Sequence, residues 1–232
     1  CCYIQEVVAN SIALQKEYDN VGTAIELGGQ DAKMIFFKES ETDHMRSVSD
    51  MRMNGSCAGG TGAFIDEIAS VLKVPVEEFN ALAVKGEHVY DISGRCGVYA
   101  KTDIQPLLNQ GAAKEDLALS AFHAIAKQTI GGLAQGLTIK PPVVFEGGPL
   151  TFNPTLIRVF TERLYLSKEE ILCPEYPELL FVILQPFGCL PNHVVGRGIV
   201  KNSGKCIRMH RSSPWIMTRI SVSPIWRIVC RC

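Results

Sequence analysis

A cysteine ahead of a glycine-rich helix entry can ligate a metal centre, and a glycine turn after a strand can cradle phosphate. Both kinds of feature occur here. Asn54-Gly55-Ser56 leads into Cys57-Ala58-Gly59-Gly60-Thr61-Gly62, and a second cysteine stands in Ser93-Gly94-Arg95-Cys96-Gly97-Val98. Upstream lies Glu26-Leu27-Gly28-Gly29-Gln30-Asp31-Ala32-Lys33, and downstream Glu146-Gly147-Gly148-Pro149-Leu150. Cluster ligands beside nucleotide loops suggest ATP hydrolysis coupled to an electron carried by iron and sulfur.

Each motif has its own chemistry and its plainer alternative. Gly28 and Gly29 let backbone N–H groups approach a phosphate without an intervening Cβ. Glu26 and Asp31 can hold Mg²⁺ directly or through water, and Gln30 can orient an attacking water. The same residues also fit an ordinary hairpin turn. Gly59, Gly60, Thr61 and Gly62 enter a helix whose unpaired N–H groups and positive end suit a phosphate, a thiolate or an anionic cluster. A structural cysteine before a helix is the alternative for Cys57. One chain holding Cys57 and Cys96 cannot complete a four-thiolate iron–sulfur site, but two chains about a twofold axis can. Spacing alone favours two unrelated buried thiols. Gly147-Gly148 ends a buried strand, where a flat base can lie against backbone; a plain turn is the alternative. His44, His88, His123, His193 and His210 have no ligand spacing and are left as surface or core residues.

These motifs need elements to position them. The pattern predicts a helix over 5–18, a strand over 23–27 and its hairpin partner over 32–37. Residues 38–50 read as an exposed loop and an outer strand. A helix over 63–72 carries an apolar stripe at Phe64, Ile68, Val71 and Leu72, and Pro75 stops it. Val76 to Val84 is a short second helix, followed by a turn and a short strand up to Ser93. Residues 102–110 are helical, and 114–136 make the longest helix. Its internal Gly131-Gly132 suggests close packing or close backbone approach. A buried strand ends at Glu146, and Asn153-Pro154 starts a helix to about Leu164, with Asn as N-cap.

Composition sets outer limits. The chain has 232 residues, 47% of them hydrophobic, and a formal net charge of -1, so bulk electrostatics point to no nucleic-acid partner. No run of roughly 20 apolar residues suggests a membrane span. Nine cysteines in no regular spacing and without a CxxC pair argue against a disulfide scaffold and a zinc ribbon. A reducing, cytoplasmic setting fits them best. The opening Cys1-Cys2-Tyr3 suggests a fragment of a longer protein. After Glu178 no acidic residue occurs, and Arg197, Lys201, Lys205, Arg208, Arg211, Arg219, Arg227 and Arg231 make the end basic. That end fits a nucleic-acid or membrane-surface tail; the preferred reading is a read-through or frameshifted end that is not native family sequence.

Together the motifs resemble the activator ATPase family of 2-hydroxyacyl-CoA dehydratases and benzoyl-CoA reductases, in that family's order and over about residues 5–180. The run Lys101-Thr102-Asp103-Ile104-Gln105-Pro106 resembles the large, activase-like members. The resemblance implies an α/β, actin-like (ribonuclease H-like) ATPase fold, here an incomplete second lobe. Residues 1–20 are then an inter-lobe helix left from the first lobe, 21–180 the second lobe, and 181–232 the atypical tail. It implies a homodimer bridged by one [4Fe–4S] cluster on Cys57 and Cys96, with ATP and Mg²⁺ at the glycine turns. It further implies delivery of a low-potential electron to a partner acyl-CoA dehydratase or reductase, with no nucleic acid and no membrane involved. Members begin with another phosphate loop that this chain lacks, so weak or absent ATP binding is expected. Glu26 stands where the family has Asp, and Pro149 where small residues are usual. An actin-like kinase or ATPase lobe without a cluster, and a non-catalytic regulatory module, are the competing readings.

Overall fold

Backbone pairing starts from Thr23–Leu27 (β1), in which every residue is buried. A computed structural model describes residues 6–39, 46–54, 59–174 and 177, with the backbone of 199–202 and 205–208. Helix α1 spans Glu6–Glu17, and Ala32–Glu39 (β2) returns antiparallel to β1. Strand β3, Arg46–Met53, pairs antiparallel with β2; the 38–50 segment is therefore mostly strand, with 40–45 outside the described residues. Helices α2 (Gly62–Leu72), α3 (Phe79–Ala83), α4 (Gly97–Asn109) and α5 (Lys114–Thr129) follow. Strand β4, Val143–Glu146, then enters parallel beside β1. Helices α6 (Gly148–Phe152) and α7 (Pro154–Leu164) precede β5, Ile171–Leu172, which is parallel to β4. The sheet order is β3-β2-β1-β4-β5.

Side-chain alternation along the strands divides the core between the sheet's two faces. Ile25, Leu27, Met34, Phe36 and Phe145 pack against α2, α3, α5 and α7. Ala24, Ile35, Phe37 and Val144 pack against Ala13 and Leu14 of α1. Phe79 of α3 meets Phe122 of α5 edge-on, with centroids 5.4 Å apart. Chain contacts separate a first unit, Cys1–Gly188, from a second, Cys189–Cys232. In the second, Ile199–Asn202 (β6) and Lys205–Arg208 (β7) form an antiparallel hairpin. The rest of the basic end lies outside the described residues.

Five expectations are corrected. The segment before Ser93 is no strand. Its N–H groups bond to side chains of α5, with Glu87 and His88 donating to Asp116 Oδ1 and Tyr90 to Ser120 Oγ. Helix α4 begins at Gly97 rather than 102, because Ala100 and Ile104 bury its first turns in the core. The long helix stops at Thr129 and loosens into a π turn, Ile130–Ala134. Gly131 and Gly132 lie in that turn without close backbone approach, since a Cβ on Gly131 would meet nothing within 4 Å. Asn153 occupies the N-cap position of α7, yet its side chain does not cap it; Nδ2 donates to Pro149 O at 2.8 Å.

Candidate functional site

The C-terminal ends of parallel β1 and β4 place two glycine turns side by side, the usual location of ligand crevices in such sheets. Gly28 N–H donates to Asp31 O at 2.8 Å and closes the first turn as a hairpin. Gly29 and Gln30 form its exposed tip. Among the described residues, no hydrogen bond occupies their two N–H groups. The third turn docks onto this hairpin: Gly62 N–H donates to Gly28 O at 3.0 Å, and Ala63 N–H to Gly29 O at 2.8 Å. The first N–H groups of α2 are thus engaged by the hairpin, so the helix start shapes the phosphate turn instead of presenting unpaired donors. Pro149 closes over the same point, its Cγ 3.2 Å from where a Cβ on Gly62 would stand. Gly28-Gly29, Thr61-Gly62 and Gly147-Gly148 therefore meet in one place. Thr61 is fully buried there.

Beneath the hairpin, on the α1 face, lies a charge network. Lys33 Nζ is 3.0 Å from Glu26 Oε1 and 3.0 Å from Asp31 Oδ2. Glu26 and Lys33 are cross-strand partners, and Glu26 and Glu146 are neighbours in the parallel register. Asn10 of α1 donates Nδ2 to Glu146 Oε1 at 2.8 Å and to Glu26 Oε2 at 3.3 Å. Asn10, Glu26, Lys33 and Glu146 are all buried, whereas the Asp31 side chain is 42% exposed. Glu26 is buried, and each of its oxygens already meets a protein donor, so it is less accessible to Mg²⁺ than Asp31. Asp31 is the carboxylate with room to hold an ion through water. Sequence reasoning missed Asn10 and assigned no role to Lys33, Glu146 or Asn54; a single asparagine within an apolar helix carries no recognisable signal.

Cys96 is the N-cap residue of α4, in extended conformation, a free and half-buried thiol without a side-chain cap bond. Val98 and Tyr99 beside it are 69% and 62% exposed. Glu67 of α2 lies against Gly97, so that helix end already meets one carboxylate. Cys57 lies outside the described residues. Gly59, two residues along, packs directly on the carbonyls of Gly94 and Arg95, and a Cβ there would overlap them. The two cysteine motifs therefore adjoin through Gly59 and Arg95. Among the described residues, no group of three or more His, Cys, Asp or Glu is placed to hold a metal ion.

The extended segment that delivers Cys96 is tied to α5 by Asp116, Ser120 and a Lys127–Asp91 ion pair at 2.9 Å. The N–H groups of His88 and Glu87 hold the Asp116 carboxyl below its ordinary range. Protonation therefore favours the unfolded chain, and the bonds contribute fully above the ordinary carboxylate pKa and fade as pH falls below it. Asp116→Asn is expected to lower stability by about 1 kcal/mol at pH 7. The gap to the parent protein should close as pH drops through 4 toward 3, measured by urea unfolding; a pH-independent gap would contradict this assignment.

The α/β architecture is that of the actin-like ATPase fold. The profile of the BadF/BadG/BcrA/BcrD ATPase family matches residues 3–164, and the chain belongs to that family. It is 29% identical over 157 residues to a 2-hydroxyisocaproyl-CoA dehydratase activator of Clostridioides difficile, covering 68% of this chain and 55% of the relative. It is 31% identical over 145 residues to the (R)-2-hydroxyglutaryl-CoA dehydratase activating ATPase of Acidaminococcus fermentans, covering 62% and 53%. Component A of that dehydratase superposes with a TM-score of 0.67 at 26% identity, over 81% of this chain and 70% of its own. The C. difficile activator with bound ADPNP has the same fold, with a TM-score of 0.65 at 23% identity, over 83% and 72%. The chain spans about half the length of these curated relatives. No helix among the described residues is long and apolar enough to cross a membrane.

Proposed function

We propose that this chain is the second lobe of an ATP-dependent activator that passes a low-potential electron to a partner acyl-CoA dehydratase or reductase. The observation that carries it is the joint placement of phosphate turn and cysteine motifs: α2 is bonded to the Gly28-Gly29 hairpin, and Gly59 ahead of it rests on the Arg95 carbonyl beside Cys96. The exposed N–H groups of Gly29 and Gln30 bind the terminal phosphates. The Gln30 side chain orients the attacking water, and Asp31 steadies Mg²⁺ through that ion's water shell. Lys33, held by Glu26, fixes Asp31; Glu26 serves catalysis through that contact. Gly147-Gly148 backs the adenosine, and Gly59, Gly60, Thr61 and Gly62 carry hairpin movement into the cysteine loop.

Cys57 and Cys96 supply two thiolates per chain, so a second copy completes the set. The half-buried Cys96 thiol and the exposed Val98 and Tyr99 fit such a twofold contact. A [4Fe–4S] cluster held there supplies one-electron, low-potential chemistry. The test is anaerobic reconstitution with iron and sulfide, followed by an iron count. About four irons per two chains are expected for the parent protein, and close to none for Cys57→Ala or Cys96→Ala. Parent protein without iron, or cysteine variants retaining it, would leave an actin-like ATPase or kinase lobe, or a regulatory module.

A further inference from the structure

Both ends of the cysteine loop are fastened to the phosphate hairpin. At the far end the bonds are Gly62 N–H to Gly28 O and Ala63 N–H to Gly29 O. At the near end Asn54 N–H donates to Ala32 O at 3.0 Å, and Ala32 N–H donates to Asn54 Oδ1 at 2.8 Å. The Asn54 amide also reaches across the loop, with Nδ2 donating to Gly59 O at 3.5 Å. Three of the four fastenings are backbone to backbone. Asn54 Oδ1 is the one that a side chain makes, and it grips the residue directly after Asp31.

We propose that Asn54 is a positioning residue that makes the cysteine loop follow the hairpin; this rests on the cluster-carrying role assigned to Cys57 above. A phosphate that shifts Gly29–Asp31 must also shift the Ala32 peptide. Through Asn54 that shift arrives at the start of the loop while Gly62 and Ala63 carry it to the end. Gly59, at the other end of the loop, rests on the carbonyls of Gly94 and Arg95, the residues before Cys96.

The test needs neither nucleotide nor iron. Trypsin releases Cys57 alone in the peptide from Met53 to Lys73, so its alkylation rate is read separately from the other cysteines. Gly28→Ala perturbs the hairpin directly, because its Cβ would press on Asp31. Gly28→Ala is expected to change the Cys57 rate about fivefold in the parent background and less than about twofold in Asn54→Ala, a non-additive cycle. Asn54→Asp keeps the acceptor for Ala32 N–H and is expected to restore the coupling; a residue that merely supported folding would show no such rescue. Unchanged exchange of the Phe122 amide in every variant confirms that the core is intact. Additive effects, or Asn54→Asp behaving like Asn54→Ala, overturn the proposal. A parent protein that assembles no cluster sinks the redox reading while the coupling is still measured.

Discussion

Gly147→Ala will destabilise the first unit by about 3–5 kcal/mol and sharply reduce its folded yield. Gly147 has φ 95° and ψ 156°, a region open essentially to glycine alone. A Cβ there would overlap the carbonyl oxygen of Leu27 and lie 2.8 Å from its carbonyl carbon. Leu27 cannot retreat, because it ends the central strand and its neighbour Gly28 holds α2. Gly147 N–H also bonds to Pro177 O at 3.0 Å, and Gly147 O accepts from Thr151 N–H, so the turn is fixed from both sides. The strain therefore spreads to all three glycine turns. Gly131→Ala is the matched contrast. That position has open space in the π turn and no left-handed backbone, so alanine there should be neutral or stabilising by a few tenths of a kcal/mol up to about 1. Urea unfolding of the two variants reads the difference. Equal losses at 131 and 147 would show that propensity, not contact, decides glycine use here.

What the sequence discloses depends on which bonds do the positioning. Strands β1, β2 and β4 are dense in β-branched and aromatic residues between glycine turns, and their places are plain. Backbone–backbone contacts between distant loops have no sequence signature. Nothing in Gly62 announces that its N–H is spent on Gly28 O, and so the helix start reads as an open anion site. The segment 87–92 looks like a strand because it is extended and mixed in polarity. Its acceptors, Asp116 and Ser120, look like ordinary solvent-facing positions of a helix until tertiary packing buries them. The glycine pair at 131–132 carries a helix-propensity cost that the chain avoids by leaving the α-helix one residue earlier. From sequence Cys96 suits a turn as well as a helix entry, and the start of α4 at Gly97 depends on the core contacts of Ala100 and Ile104. Asn10 was invisible: its role exists only because β1 and β4 place Glu26 and Glu146 side by side beneath α1.

Lys33→Met will remove about 3–5 kcal/mol of stability, because it takes away the cation 3.0 Å from the buried Glu26 carboxylate. The environment makes this severe. Glu146 stands beside Glu26 in register, Asn10 is the neutral donor shared between them, and Lys33 is the cation that the described ion pairs place on Glu26. Removing the cation therefore exposes two buried carboxylates to one another. The double variant Lys33→Met, Glu26→Gln removes both charges at similar volume and should lie within about 1–2 kcal/mol of the parent, since replacing a buried pair outright is far cheaper than breaking it. That recovery separates electrostatics from packing: if methionine failed only by shape, glutamine at position 26 could not rescue it. Asp31 gives a second discriminator. It is half-exposed and shares Lys33 at 3.0 Å, so Asp31→Asn should cost less than about 1 kcal/mol. Thermal and urea unfolding of the three variants resolves them. A small loss for Lys33→Met, or no rescue in the double variant, would mean that the hairpin is held by its backbone bonds alone. Stability can therefore be repaired without restoring the hairpin's chemistry: the rescued double variant keeps its fold while Asp31 loses the contact that steadies it at the phosphate turn.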